Sequence, residues 1–209
     1  AHRRYFHENA ETGLDLPKTT AYICQKLTEY GLKPEMCGHG ITALIGKGGK
    51  TILLRADMDA LPMQELSNEP FACKNGAAHT CGHDFHAAML LTAAKMLKEN
   101  ESALKGTVKL MFQPAEETFE GSREMLENGI LSDPAPDAAL ACHVSPGKIP
   151  IGFFMYNTDG ALMNSVDGFK ITVTGKGSHG AYPHYGVDPI NIGVHIHLAL
   201  QSLIARESD

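Results

Sequence analysis

Apolar residues recur at helical spacing over residues 17–30, where Ala21, Cys24, Leu27 and Tyr30 fall three apart and Gly31 supplies a stop. Two short runs dense in β-branched and aliphatic residues follow, at 41–45 and 51–54, separated by the turn-like KGGK. A second helical pattern is expected from about 84 to 99, with Ala88, Leu91, Ala94 and Leu97 or their neighbours toward the core. The run TVKLMF at 107–112 reads as a strand, 121–128 as a short helix closed by Gly129, and DAALAC at 137–142 as another strand behind Pro134 and Pro136.

Strands therefore alternate with helices up to about residue 160, which predicts an α/β layered domain. The order alone does not give strand direction, so a wholly parallel sheet is not implied. After the loop near 157–164 a new unit is expected. FKITVT at 169–174 reads as a strand and residues 189–206 as a long helix. One strand and one helix cannot bury their own apolar faces, so this unit needs more chain or a partner. The expected division is 1–160 and 161–209, the second of them incomplete. No internal repeat or low-complexity tract is visible.

Composition narrows the function classes. Hydrophobic residues make up 43% of the 209 positions, enough for a sizeable core, and the net charge of −6 is mild. That balance gives no electrostatic reason to expect a nucleic acid or an anionic membrane as partner. No run of eighteen apolar residues is present, and the first thirteen residues lack a signal-type apolar stretch. Five scattered cysteines (24, 37, 73, 81 and 142) form no CxxC pair and do not resemble a disulfide framework. Cys24 and Cys142 lie in apolar patterns and are expected to be buried thiols. A reducing cytoplasm is the expected compartment.

Candidate chemistry gathers in CGHDFH, residues 81–86, with His79 just ahead. On a helix Cys81 and His83 would point about 200° apart. On a turn through Gly82 they converge, with the helix starting near Asp84, where its amides favour a thiolate. Two other strand ends offer matching donors: QPAEE (113–117) carries Glu116 and Glu117 after TVKLMF, and ALACHVSP places His143 after its apolar run. Adjacent carboxylates leaving a strand end point apart, so one can bind a metal while the other moves a proton. Thiolate, imidazole and carboxylate together suit a borderline divalent ion such as zinc, cobalt or manganese. LLRADMDALP adds Asp57 and Asp59, either to orient ligands or to ligate directly.

At this point the sequence resembles the metal-dependent amidohydrolases of peptidase family M20, in the subfamily of hippurate hydrolases, N-acyl-amino-acid deacylases and auxin-conjugate hydrolases. The motifs that carry the resemblance are LLRADMDALPMQE (53–65), HTCGHDFHAAML (79–90), GTVKLMFQPAEE (106–117), CHVSP (142–146) and VTGKGSHGAYPHYGVDPI (173–190). They stand in the family's order along nearly the whole chain.

The resemblance implies a three-layer α/β/α zinc-peptidase-like catalytic domain, followed by the start of a small α+β lid that also dimerises. It implies hydrolysis of the amide bond in N-acyl amino acids or related conjugates by metal-activated water. Cys81, His83, Glu117 and His143 are the implied ligands of a site for two divalent ions per subunit (zinc or manganese, with cobalt or nickel as alternatives), and Glu116 is the implied general base. The supporting aspartate aligns to Asp57 or Asp59, with the D-x-x-P pattern favouring Asp59. His86 and Asp84 are expected to support the ligands rather than join them. His179 is implied to reach a neighbouring subunit's substrate, which makes a homodimer the expected assembly.

There are departures. Members return after the lid with a further metal-binding histidine; His195 and His197 on the lid helix are poor substitutes, so the chain reads as a fragment expected to be weakly active or inactive. Phe85 stands where a small residue is common, and Thr118-Phe119-Glu120 replaces a glycine run. Rival readings are a dipeptidase or aminopeptidase of the same family, and a non-catalytic metal-binding module, against which Glu116 argues. A zinc deaminase would want H-x-E and P-C-x-x-C, and neither occurs.

Overall fold

The computed structural model describes residues 1–147, 150–157, 159–160, 163 and 165–207. It divides into two compact units, Ala1–Pro150 and Ile151–Asp209. In the first, helices α1 (His2–Glu8) and α2 (Pro17–Glu29) precede strands β1 (Glu35–Cys37), β2 (Gly40–Gly46) and β3 (Thr51–Asp57). Helix α3 (His83–Glu99), strand β4 (Thr107–Gln113), helix α4 (Gly121–Glu127) and strand β5 (Ala138–Ala141) complete it.

The five strands form one mixed sheet in the order β1-β2-β4-β3-β5. Strand β4 is central and buried at all seven positions. It runs antiparallel to β2 and parallel to β3, with Asp57 opposite Gln113 at their shared end. Strand β5 is parallel to β3, with Arg55 opposite Ala141.

Period-two alternation sorts the strand side chains onto two faces. Ile41, Ala43, Ile45, Ala56, Val108, Leu110 and Phe112 face one way, packed with Phe6 of α1, Ile23 and Leu27 of α2, and Ala87, Leu91 and Ala94 of α3. Leu53 and Met111 face the other way, with Cys37 and with Met125 of α4. The sheet is thus sandwiched between helices, the layered α/β domain that the alternation predicts and the three layers that the resemblance implies. Cys142 follows the edge strand and is exposed, and Cys24 is half-buried. The apolar run before Cys142 does not bury it because its strand has one neighbour, whereas Cys24, on helix α2, packs partly buried against the core.

The second unit holds helix α5 (Pro189–Glu207) and a single-turn helix at Pro183–Tyr185. FKITVT, read above as a strand, forms none: a ladder needs a neighbouring strand, and the β pairing found in this unit is the isolated Lys176–Val187 bridge. The residue at 164 and part of the loop expected around it lie outside the described residues.

Candidate metal centre

The carboxyl ends of β4, β3 and β5 lie side by side, where open α/β sheets gather their chemistry. From them issue the segments bearing Asp57 and Asp59, Glu116 and Glu117, and His143. The ladder continues one step beyond β3, Met58 N–H donating to Gln113 C=O at 2.9 Å. Helix α3 begins at His83, directly after Gly82 at φ +93°. The expected turn through Gly82 is therefore present, one residue earlier than the spacing suggested. Candidate ligand atoms fall into overlapping groups, each within 4.8 Å: Cys81, His83 and His143; His83, Glu116 and Glu117; and Asp57, His83 and His86.

His83 stands at the centre. Its Nδ1 is 2.9 Å from the Asp59 carbonyl oxygen, which only accepts, so Nδ1 carries the proton. That leaves a lone pair on Nε2, which is buried and lacks a hydrogen-bond partner. Around Nε2 stand carboxylate oxygens of Asp57 at 3.7 Å, Glu117 at 3.8 Å and Glu116 at 3.9 Å. The Glu117 oxygen in that ring is likewise buried and unpartnered. Burial alone would lower the His83 pKa, but the Asp59 hydrogen bond and the Asp57, Asp59 and Glu117 charges outweigh it and raise it. Buried acceptors facing one another with no donor between them are costly, and a cation among them removes the cost.

Cys81 Sγ lies 3.5 Å from His143 Nε2. His143 donates from Nδ1 to the Val144 carbonyl at 2.6 Å, so its Nε2 lone pair also turns toward the cluster. Burial, then the Glu117 carboxylate with Glu116 and Asp57 behind it, push the Cys81 thiol up to about 12. A thiol ligates as thiolate, so these surroundings suit Cys81 to ligation only when a cation stands among the acids. Glu116 is raised by burial and by the Asp57 and Glu117 charges, with His83 opposing. The residues present fit a divalent cation: one thiol, two imidazole lone pairs and crowded carboxylates, two of these acceptors orphaned.

Asp59 holds the segments bearing His83 and Glu117 rather than facing the cluster centre. Its carboxylate accepts the Glu117 N–H at 3.1 Å and lies 3.3 Å from His83 Nδ1. Asp57 accepts from His86 Nδ1 at 2.5 Å and from Arg55 Nη1 at 2.7 Å. Burial would raise Asp57, but the His86 bond and the Arg55 guanidinium prevail and hold it below the ordinary carboxylate range. Asp84 is fully buried and points away, accepting from Arg3 Nε and His7 Nδ1, both at 2.7 Å. His7 also reaches Glu65 at 2.8 Å, so α1 is bolted to the start of α3.

Two backbone positions beside the cluster are left-handed without being glycine: Ala115 at φ +48° and Phe119 at φ +60°. Phe119 lies in the segment noted above for lacking a glycine run, and glycine would adopt that backbone freely. Such conformations persist where surrounding contacts over-determine them. Here Ala115 is fully buried and its N–H donates to Gly13 C=O at 3.1 Å.

The structure brings together Cys81, His83, Glu116, Glu117, His143, Asp57 and Asp59. His179 belongs to the second unit, where it is exposed, accepts the Ala181 N–H at 3.1 Å and lies 5.9 Å from the Tyr182 ring. His195 and His197 are exposed on α5. Arg55 and the bond between His86 and the Val144 backbone escaped the sequence reading. Arg55 stands in an apolar run with no signal beyond its charge, and Val144 contributes only its N–H, which no side-chain pattern betrays.

Residues 53–152 match the model of peptidase family M20/M25/M40, and residues 164–208 match the peptidase dimerisation domain. An N-acetyl-L-cysteine deacetylase of Bacillus subtilis is 43% identical over 98% of this chain and 49% of its own length. Hippurate hydrolase of Campylobacter jejuni is 39% identical over 99% of this chain and 54% of its own. The crystal structure of a dinuclear metal-binding M20 peptidase from Bacillus subtilis superposes with a TM-score of 0.66 at 40% identity, over 69% of this chain and 42% of that one. The chain spans about half the length of the curated relatives it matches. Residues 53–152 thus carry a peptidase M20/M25/M40 domain and residues 164–208 a peptidase dimerisation domain, with likeness to such enzymes along nearly the whole chain.

Proposed function

We propose that this chain carries the site of a metal-dependent amidohydrolase that cleaves N-acyl amino acids into a carboxylic acid and a free amino acid. The observation that carries the reading is the orphaned His83 Nε2 lone pair, buried among three carboxylates. Relatives named for N-acetylcysteine deacetylation and hippurate hydrolysis support the substrate class. The dinuclear relative supports two ions, with zinc or manganese suited to this donor set. Residues 1–160 form the catalytic part in this reading, and 161–209 the lid.

Cys81, His83, Glu117 and His143 would hold the metal. When bound, a divalent cation polarises the amide carbonyl and lowers the pKa of water. Glu116 takes the proton of the attacking water and returns it to the leaving amine. Asp59 fixes the ring of His83 and the backbone of Glu117. His179, supplied by the second subunit of a homodimer, stabilises charge on the substrate oxygen. Five free thiols fit a reducing cytoplasm. Among the described residues, no helix is long and apolar enough to cross a membrane.

The test is a pair of variants in a full-length version of the enzyme, purified, loaded with zinc or manganese and assayed on hippurate and N-acetylcysteine. Glu116→Gln should keep its metal and lose about 10²-fold or more of turnover. Glu117→Gln should lose metal as well. An equal fall in metal content would refute this division of labour.

A further inference from the structure

His86 is 2% exposed and engaged at both ring nitrogens, each by a different segment of the site. Nε2 accepts the backbone N–H of Val144 at 2.9 Å, immediately beside His143. Nδ1 must then be the protonated nitrogen, and it donates to Asp57 at 2.5 Å. The His86 and His143 rings meet edge to face, their centroids 4.5 Å apart.

Its place in a 4.8 Å group with Asp57 and His83 makes His86 look like a ligand. Its lone pair is already spent, however, on Val144. A ligating imidazole needs a free lone pair, with the other nitrogen bonded to an orienting group. His83 meets that description and His86 does not.

Among the described residues, the segment His86 grips is lightly held. Strand β5 is four residues long, lies at the sheet edge and is exposed at every position. Val144 is half-buried, and its side chain sits over Gly82, where a Cβ would come within 2.4 Å of Val144 Cγ2. One turn of α3 therefore grips the His143 segment from two sides: Gly82 by close approach, His86 by its hydrogen bond.

We propose that His86 is a positioning residue that sets His143 against Cys81, with Asp57 fixing the tautomer that leaves Nε2 free to accept. This rests on the reading of Cys81 and His143 as metal ligands. Two isosteric variants divide the ring's contacts. His86→Asn keeps an N–H near Nδ1 for Asp57 and offers nothing to Val144. His86→Gln carries a carbonyl toward the Nε2 position for Val144 and gives up Asp57. Each removes one buried hydrogen bond, so a purely structural role would affect both alike.

The experiment titrates cobalt(II) into the metal-free chain and reads the thiolate-to-cobalt absorption, with urea unfolding of the metal-free variants alongside. His86→Asn should weaken cobalt binding by about 10–100-fold, the usual cost of losing an outer-shell partner. His86→Gln should bind close to wild type, although both variants unfold at similar urea. Equal weakening in both, no weakening in either, or weakening confined to His86→Gln overturns the proposal. A wild-type chain that fails to bind cobalt at Cys81 overturns the metal reading itself, and the wild-type sample alone reveals that case.

Discussion

Replacing Gly82 with alanine strikes the backbone on which the cluster turns. Gly82 sits at φ +93°, between Cys81 and the first residue of α3. A left-handed backbone costs an L-residue roughly 1–2 kcal/mol. The new methyl would also meet Val144 Cγ2 at 2.4 Å. Val144 cannot swing away cheaply, since it is β-branched and its N–H is tied to His86. Overpacking of this kind typically costs about 1–3 kcal/mol. Reduced freedom of the unfolded chain returns about 0.4–1 kcal/mol. The expected loss is therefore about 1.5–4 kcal/mol, a large share of the roughly 5–15 kcal/mol of a typical domain.

Urea unfolding of the metal-free chain, followed by circular dichroism, measures this directly. A cycle with Val144→Ala then separates the two costs. The double variant should recover the steric part and keep the conformational part, so the substitutions should couple favourably by about 1–3 kcal/mol. A loss below about 0.5 kcal/mol, the range of ordinary surface changes, would refute the argument. So would strict additivity, because it would mean that the methyl and the valine never meet.

Three further outcomes are expected. Leu91→Ala, at a fully buried position of α3, should cost about 2–5 kcal/mol in the same urea assay without changing which metals bind. Glu124 is held below its ordinary 4.5 by the His39 backbone N–H and ring, so its contribution is whole above that pH and is lost as the pH falls through the depressed value; Glu124→Gln should flatten the acid side of a melting-temperature profile. Ile190, Val194 and Leu198 lie four apart and exposed on α5, so a chain that self-associates through the second unit should become more monomeric on Leu198→Glu, as read by light scattering.

Much of this was legible from pattern alone. Helix α2, strands β3 and β4 and helix α5 fall within a few residues of their expected bounds, because each is long or strongly periodic. The donor cluster was legible because its donors are chemically unusual and because the Asp57, Glu116, Glu117 and His143 segments each follow an apolar run. Helix α1 was missed. Its single buried aromatic, Phe6, sets no period, and what fixes it is remote: Arg3 and His7 reach Asp84, 81 and 77 residues along the chain. Strand β1 has three residues, too few to alternate. The FKITVT strand failed for the opposite reason, since local preference was clear and no neighbour was there to complete the ladder. The choice between Asp57 and Asp59 was open because D-M-D offers both; geometry gives them separate tasks, Asp57 toward His86 and Arg55, Asp59 toward His83 and Glu117.

Strand β5 also bears on how the site responds to motion. Its four amides stand at the margin of the sheet with one neighbouring strand, whereas β4 is buried between two. Amides in such a margin exchange with solvent through small local openings, while those of a central strand wait for global unfolding. The imidazole of His143 rides on the margin; His83 rides on a helix packed into the core. A cation held by both would tie an edge segment of the sheet to a helix packed into the core. Its binding free energy would then be spent largely on closing β5, and deuterium uptake would slow at residues 138–144 far more than in β4.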